Sequence, residues 1–208
     1  MNRVNRHLAL LYAIVFVNGA VLMGFEILGS RVLAPGFGNS VFVWGSLIGV
    51  FMAGMSVGYF FGGWLGDRMP SRGLFALLLF LPGLMILLSP YYAFPMVEAL
   101  ADIDLGPRGG PFLACLLLFL LPSIFIGAVS PYAFVLVLRD LRRAGQSVGT
   151  LYAISTFGSI VGTLGTSFYL ILWAGTRMSL HLLGITLILT AIAALKVRVH
   201  QPHGPHQP

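Results

Sequence analysis

The sequence has 208 residues, of which 58% are hydrophobic and only 9% are charged. Soluble domains carry about a quarter charged residues, so this composition excludes a soluble enzyme and predicts a polytopic membrane protein in contact with the lipid bilayer. The net charge of +6 comes from basic residues in short clusters between apolar stretches, a distribution that sets membrane topology and argues against nucleic-acid binding.

The apolar stretches predict an all-α membrane helix bundle with six transmembrane helices. At about 1.5 Å of rise per residue, each stretch is long enough to cross a hydrocarbon core of about 30 Å. The first stretch has no small-residue cleavage site, so we predict a retained helix and not a signal peptide. The predicted helices cover residues 8–29, 41–64, 73–90, 112–138, 147–173 and 178–197, within one transmembrane domain over residues 1–199.

Two segments depart from this regular pattern. Pro82 and Pro90 interrupt the third stretch, so residues 91–100 are predicted to form a short interfacial helix, with a seventh span as the alternative. Residues 200–208 are rich in His and Pro, which predicts a disordered tail. Although the histidines of this tail suggest metal binding, we assign no metal site to the chain.

The basic residues predict the orientation of the bundle. With both termini in the cytoplasm, only Arg31, Arg108 and Arg177 lie outside, which is the bias expected of a multi-pass protein in the bacterial inner membrane. The basic residues then placed on the cytoplasmic side are Arg3, Arg6, Arg68, Arg72, Arg139, Arg142, Arg143, Lys196 and Arg198.

Small residues recur at intervals of four in the second helix, which predicts a strip for close packing against another helix. Residues 64–68 can be aligned with residues 173–177 at the end of the fifth helix. In this alignment, Gly49 and Ala53 correspond to two glycines of the fifth helix. Because the two helices run in opposite directions, the match predicts an inverted three-plus-three repeat resembling half of a major facilitator fold, with chance similarity as the alternative. The predicted packing residues are Gly49, Gly54, Gly58, Gly62, Gly158 and Gly162.

Glu26 is the acidic residue well inside a predicted helix. A carboxylate there is costly unless it faces a protein interior or a water-filled cavity, so Glu26 is predicted to line a substrate or ion pathway with Arg31 as its ion-pair partner. A structural role at the outer end of the helix is the alternative. Hydroxyl groups of Tyr152, Ser155 and Thr156 are assigned to the same pathway, with interhelical hydrogen bonding as their alternative role.

The charged loop after the second helix is the other candidate site. Gly63, Asp67, Arg68 and Arg72 fit much of the pattern G-x-x-x-D-R-x-x-x-R found at this place in major facilitator transporters, although Pro70 replaces its second glycine. Ion pairs in such a loop can hold one conformation and break in another. An ordinary loop that follows the positive-inside rule is the alternative.

The sequence contains no motif of a soluble active site. Gly36-Phe37-Gly38 lacks the third glycine, the preceding strand and the downstream acid of a dinucleotide fold. The single cysteine, Cys115, excludes a disulfide framework and a cysteine metal site. We therefore assign no cofactor and no catalytic residue.

Two segments resemble a known family. Residues 24–71, with GFEILGSRVLAPGFGNSVFVWGSLIGV, and residues 120–177, with FIGAVSPYAF and GTLYAISTFGSIVGTLGTSF, resemble the N-terminal membrane module of bacterial spermidine-synthase-like proteins, also called fused major-facilitator/spermidine-synthase proteins. In many relatives this module precedes a cytoplasmic aminopropyltransferase domain that binds decarboxylated S-adenosylmethionine and putrescine. The sequence contains no such domain, so we expect no aminopropyl transfer by this chain alone.

The resemblance implies a membrane module that anchors a separate synthase-like soluble partner, translocates a small cationic molecule of the polyamine type, or does both. Two alternatives stay open on the residues. One is an independent major-facilitator-like transporter, which would need a homodimer because six helices make only half of that fold. The other is a structural subunit of a larger membrane complex.

Overall fold

The computed structural model describes residues 3–103, 105–137 and 144–197, and within these ranges it consists of helices joined by short turns. The predicted tail at residues 200–208, Arg198 and the arginines of residues 138–143 lie outside the described residues. The elements are α1 (Arg3–Phe37), α2 (Val41–Arg68), α3 (Arg72–Asp102), α4 (Gly106–Val137), α5 (Ala144–Gly165), a π-helical turn (Thr166–Leu170) and α6 (Ile171–Ala194).

Five helical stretches in the described part of the chain are long and apolar enough to cross a membrane. A helix satisfies its own backbone hydrogen bonds, which lipid cannot do, so apolar sequence of this length folds into helices. The stretches are His7–Phe37, Val41–Arg68, Arg72–Asp102, Gly106–Leu136 and Gly145–Ala194. The last has 50 residues and joins α5, the π-helical turn and α6 across a break at Gly175, where φ is 69° and ψ is 174°.

Helix α5 runs parallel to α1. Gly158 lies against the carbonyl group of Phe16, and Gly162 lies one turn further along against the carbonyl group of Ala20. Residue numbers therefore rise together along both helices. A side chain at either glycine would overlap the backbone of α1, so the absence of a side chain permits this close approach.

Helix α6 runs in the opposite direction to α1. Residues 10–17 of α1 share a groove with residues 186–193 of α6, whereas Gly24 lies against Leu183, so residue numbers fall on α6 as they rise on α1. The chain therefore reverses its direction between α5 and the body of α6. The reversal occurs at Gly175, whose positive φ is a conformation that glycine adopts without steric cost.

Two predicted helix ends are wrong because the helices continue. Helix α1 extends past residue 29 to Phe37, and Arg31 stays exposed on it. Helix α3 continues through Pro82 and Pro90, so the interfacial helix and the seventh span predicted for residues 91–100 are replaced by the last part of α3. Each proline removes one hydrogen bond, which a membrane helix tolerates when neighbouring helices hold it.

Aromatic side chains fill the centre between α1, α2 and α4. The rings of Phe25, Phe51 and Phe119 pack against one another with centroids 5.3 to 5.7 Å apart, and all three side chains are buried. Edge-to-face and tilted contacts of this kind contribute packing energy beyond the area they bury. The interior of the bundle at this level is therefore packed with aromatic rings and does not enclose a channel.

Candidate functional site

Glu26 and Arg31 do not form the predicted ion pair. Glu26 is partly buried on α1 and Arg31 is exposed, and within the described residues neither side chain has an oppositely charged partner within 4.0 Å. Successive residues of a helix are about 100° apart, so a separation of five residues turns the side chain by about 140° around the axis. The two groups therefore face different sides of α1.

Arg31 instead lines a polar pocket of about 350 Å³ between α1, the start of α2 and the π-helical turn. We call this cavity the Arg31 pocket. Its walls are Ile27, Ser30, Arg31, Asn39, Trp44, Ser167 and Ile171.

Local chemistry of the α1–α2 turn builds one side of the Arg31 pocket. Gly38 has a φ of 70° and its N–H donates to the carbonyl of Ala34 at 2.9 Å, which ends α1. Ser40 then caps α2 by accepting a hydrogen bond from the N–H of Val43 at 3.4 Å. This tight turn brings Trp44 of α2 beside the last turns of α1.

The π-helical turn builds the opposite wall. Thr166–Leu170 carries one wider turn between α5 and α6, and Ser167 within it lines the pocket. Short π-helical segments inside α-helices frequently occur at functional sites. The sequence offers no signal for this turn, so Ser167 is missing from the residues predicted for the pathway.

Three other arginines stack on aromatic rings. The guanidinium carbon lies 4.5 Å from the ring centre of Trp64 for Arg68, 5.2 Å from that of Phe42 for Arg108, and 4.6 Å from that of Phe94 for Arg177. These cation–π contacts stabilise each positive charge. Among the described residues, Arg31 has neither such a ring nor a carboxylate.

The hydroxyl groups predicted on the fifth helix do not join Arg31. Ser155 and its neighbour Ser159 lie against α1, where the Ser159 hydroxyl lies 3.3 Å from the carbonyl oxygen of Gly19 and 3.1 Å from that of Ser155. Thr156 and Tyr152 are exposed, and the Tyr152 ring packs edge-on against Tyr59 of α2 with centroids 6.4 Å apart. The contacts between helices in this region are therefore made by the Ser159 hydroxyl, the Ser155 backbone carbonyl and the Tyr152 ring.

The predicted packing strip on α2 is divided between two faces. Gly54, Gly58 and Gly62 are buried against α4, whereas Gly49 is exposed and has no neighbour within 4 Å of the position a side chain would take. Within the described chain, Gly49 therefore packs against no other helix. Its nine-residue separation from Gly58 turns a helix by about 900°, which places the two glycines on opposite sides of α2.

A tyrosine holds the charged loop after α2. The Tyr132 hydroxyl of α4 lies 2.7 Å from the carbonyl oxygen of Met69 and 2.9 Å from that of Ser71, and it accepts a hydrogen bond from the N–H of Ser71 at 2.7 Å. Tyr132 also stacks on Phe75 of α3 with ring centroids 5.7 Å apart. One side chain therefore connects α4 to the loop and to the following helix.

The ion pairs predicted for this loop are not formed among the described residues. Asp67, Arg68 and Arg72 are all exposed, and Arg68 is stacked on a tryptophan ring of its own helix. Gly63 has no neighbour within 4 Å of its missing side chain. Exposed charges remain hydrated, so they gain little from pairing.

We expect Tyr132→Phe to loosen this loop while the bundle stays folded. The substitution keeps the stacked ring but removes a hydroxyl that bonds to the loop backbone, each lost bond costing about 1 kcal/mol. Hydrogen–deuterium exchange of a peptide covering residues 66–75 in nanodiscs should be about fivefold faster or more. Tyr91→Phe, on an exposed tyrosine of α3, is the control. Unchanged exchange in Tyr132→Phe would contradict this role.

These long, apolar and closely packed helices define a multi-pass integral membrane protein. The chain matches no protein-family model, no curated protein and no solved structure. The resemblance to the membrane module of spermidine-synthase-like proteins therefore stays a prediction. Within the described residues, no group of three or more His, Cys, Asp or Glu side chains is placed to hold a metal ion.

Proposed function

We propose that this chain is a carrier-type membrane module, built as an inverted repeat, that moves a small cation as a homodimer. The observation that carries the proposal is a set of close helix contacts that recurs, in one register, in the first and second halves of the chain. Inverted repeats of this kind are a common architecture of secondary transporters.

The first contact of the set joins α2 to α4. Gly58 lies against the carbonyl group of Ile124, and Gly62 lies against the carbonyl group of Ala128. Helices α5 and α1 make the same kind of contact. Two glycines of α5 that are four residues apart lie against the carbonyl groups of two α1 residues, which are also four residues apart. This correspondence relates α1 to α4 and α2 to α5.

The sequence agrees with this register. Gly19-Ala20-Val21 in α1 corresponds to Gly127-Ala128-Val129 in α4, and both glycines lie against the partner helix. Between α2 and α5, the identical pairs are Gly45 and Gly145, Gly49 and Gly149, Ala53 and Ala153, Gly58 and Gly158, and Gly62 and Gly162.

Two contacts cross the centre of the proposed repeat. Gly83 of α3 lies against Ile188 of α6, and Gly184 of α6 lies against Leu87 of α3, which is the reciprocal contact that a twofold relation requires. In the same register, Asn18 of α1 corresponds to Ile126 of α4. The Asn18 side-chain N–H donates to the Ile126 carbonyl at 3.1 Å, so these two equivalent positions meet directly.

The repeat implies six crossings with both termini on one side. The helices alternate in direction, since α4 and α6 run opposite to α1 while α5 runs parallel to it. Arg68, Arg72 and Lys196 then share one end of the bundle, which the positive-inside rule assigns to the cytoplasm. In this proposal, the chain is a multi-pass protein of the bacterial inner membrane.

A homodimer supplies the second half of a carrier. Three aromatic rings fill the described interior at the level of Phe25, and the cavity beside Phe16 is open to the outside, so in this proposal a path requires a second copy. The outward face of α2, with Gly45, Gly49 and Ala53 exposed, permits close approach of a partner helix. Static light scattering in mild detergent, which separates a dimer from a 22.4 kDa monomer, tests this pairing.

Uptake of radiolabelled putrescine and spermidine into proteoliposomes tests the carrier function. We expect saturable uptake that is lost in Glu26→Gln, because the partly buried carboxylate would face a cationic substrate. Glu98→Gln, at an exposed acid near the end of α3, is the matched control and should keep uptake. Absence of uptake above empty vesicles would instead favour a module that anchors a soluble partner.

A further inference from the structure

We propose that the Arg31 pocket binds a phosphate-type oxyanion, either free or as the headgroup of a lipid. The cavity joins one cation to several neutral polar groups from three parts of the chain, and no carboxylate lines it. The proposal concerns a site at the end of the bundle and does not depend on movement of a cation through the dimer.

Donors around the cavity suit an acceptor ligand. Arg31 offers a planar fork of N–H groups, Asn39 offers an amide, and Ser167 offers a hydroxyl from the facing wall. The Ser30 hydroxyl already donates to the carbonyl of Ile27 at 2.8 Å, so it supplies little to a ligand. A phosphate-type oxyanion presents mainly acceptor oxygens, which match this set of donors.

The electrostatic potential inside the pocket is positive for two independent reasons. Arg31 carries a full charge that no described ring or carboxylate neutralises. Helix α2 begins at the rim with Ser40 as its cap, and the start of a helix carries a partial positive charge from its unpaired N–H groups. Arginine forks and helix starts are both recurrent phosphate-binding elements in proteins.

The same potential excludes a polyamine from this site. A di- or tricationic amine would face the Arg31 guanidinium without a carboxylate to offset the repulsion, since Glu26 does not line the cavity. The pocket and the proposed cation path are therefore separate sites of opposite charge preference. Trp44 lines the cavity and is partly exposed, and tryptophan is enriched where lipid headgroups meet membrane proteins.

Tryptophan fluorescence can report on the pocket directly. The chain has three tryptophans, and Trp64→Phe with Trp173→Phe leaves Trp44 in the pocket wall as the single reporter. In dodecyl maltoside micelles, whose headgroup carries no phosphate, inorganic phosphate is titrated first. In a second arm, phosphatidylglycerol is added at rising mole fraction, and native mass spectrometry counts the lipids retained by the protein. These two arms distinguish a free anion from a lipid headgroup.

We expect saturable binding in one of the arms, weakened about tenfold or more by Arg31→Gln. Arg31→Lys should keep part of the affinity, and Ser167→Leu, which fills the pocket from the opposite wall, should weaken it as well. Arg72→Gln, at an exposed arginine at the other end of the bundle, is the matched control. Spermidine should not compete with either probe.

Two results would overturn the proposal. One is binding of equal strength in the parent protein and Arg31→Gln, which would assign the anion to another basic surface. The other is the absence of both a fluorescence change and retained lipid in the parent protein. Circular dichroism of each variant separates loss of the site from loss of the fold, and Arg31→Lys keeps the test valid if Arg31→Gln unfolds.

Discussion

Replacing Gly58 by leucine should prevent α2 from docking on α4, whereas the same replacement at Gly49 should leave the bundle folded. A side chain at Gly58 would overlap the carbonyl oxygen of Ile124, which is backbone and cannot rotate away. Gly49 lies on the same helix with open space around it. Both substitutions introduce the same side chain and remove the same backbone freedom, so their difference isolates the close contact.

The size of the expected loss of stability depends on whether side-chain or backbone atoms must be displaced. Overpacking a core costs about 1–3 kcal/mol when side chains can adjust, and more when helices must separate. We therefore expect Gly58→Leu to lose most of its folded, monodisperse protein in mild detergent, while Gly49→Leu unfolds within a few degrees of the parent. Thermal unfolding followed by circular dichroism and size-exclusion chromatography measures both effects.

The equivalent pair in α5 extends this experiment to the proposed repeat. Gly158 lies against the Phe16 carbonyl as Gly58 lies against the Ile124 carbonyl, while Gly149 is exposed like Gly49. Equal losses in Gly58→Leu and Gly158→Leu, with both exposed glycines tolerant, are the expected pattern. Tolerance of Gly158→Leu would mean that α1 and α5 do not approach closely.

Local features of the sequence predict much of the helical architecture. The start of α2 is predicted at residue 41 and occurs at Val41, because the serine cap and the preceding glycine act within one turn of the helix. The ends of α1 and α3 are less predictable. Arg31 and the prolines of α3 resemble stop signals, but an exposed arginine can extend its charged group to water while its backbone stays helical.

The alignment of Trp64 with Trp173 gives a different register for the proposed repeat from the one that the helix contacts support. Trp64 and Trp173 both lie near the ends of apolar helical segments, but the segment that ends at Gly175 includes an extra π-helical turn and is longer than α2. Aligning the two tryptophans therefore pairs exposed Gly49 with buried Gly158. The backbone contacts support the other register for the proposed repeat, and such contacts are not encoded in hydropathy.

The candidate sites depend on contacts between distant parts of the chain. Tyr132 bonds to Ser71, which is 61 residues earlier, and nothing in the local sequence distinguishes that tyrosine from one facing lipid. Similarly, the Arg31 pocket needs Ser167 from another helix. The sequence predicts an ion pair between Arg31 and Glu26, because spacing along one helix is the only geometry that a sequence provides.

Fusions of alkaline phosphatase should reveal six crossings and not five. A continuous helix over Gly145–Ala194 would be about 75 Å long, more than twice the hydrocarbon thickness of about 30 Å. Two crossings joined at Gly175 fit the bilayer, and the antiparallel course of α6 beside α1 agrees with them. A fusion after Gly175 should therefore be active outside the cytoplasm, and one after Val197 should be inactive.

The controls use the earlier loops of the chain. A fusion after Arg72 should be inactive and one after Arg108 active, which calibrates the two sides in the same membrane. If the fifth stretch crosses only once, the fusion after Val197 becomes active, because an odd number of crossings places the two ends of the chain on opposite sides. Green fluorescent protein at the same positions gives the reciprocal signal, since it becomes fluorescent only in the cytoplasm. An active fusion after Val197 that is dark with the fluorescent protein would contradict the reversal at Gly175 and, with it, the inverted repeat.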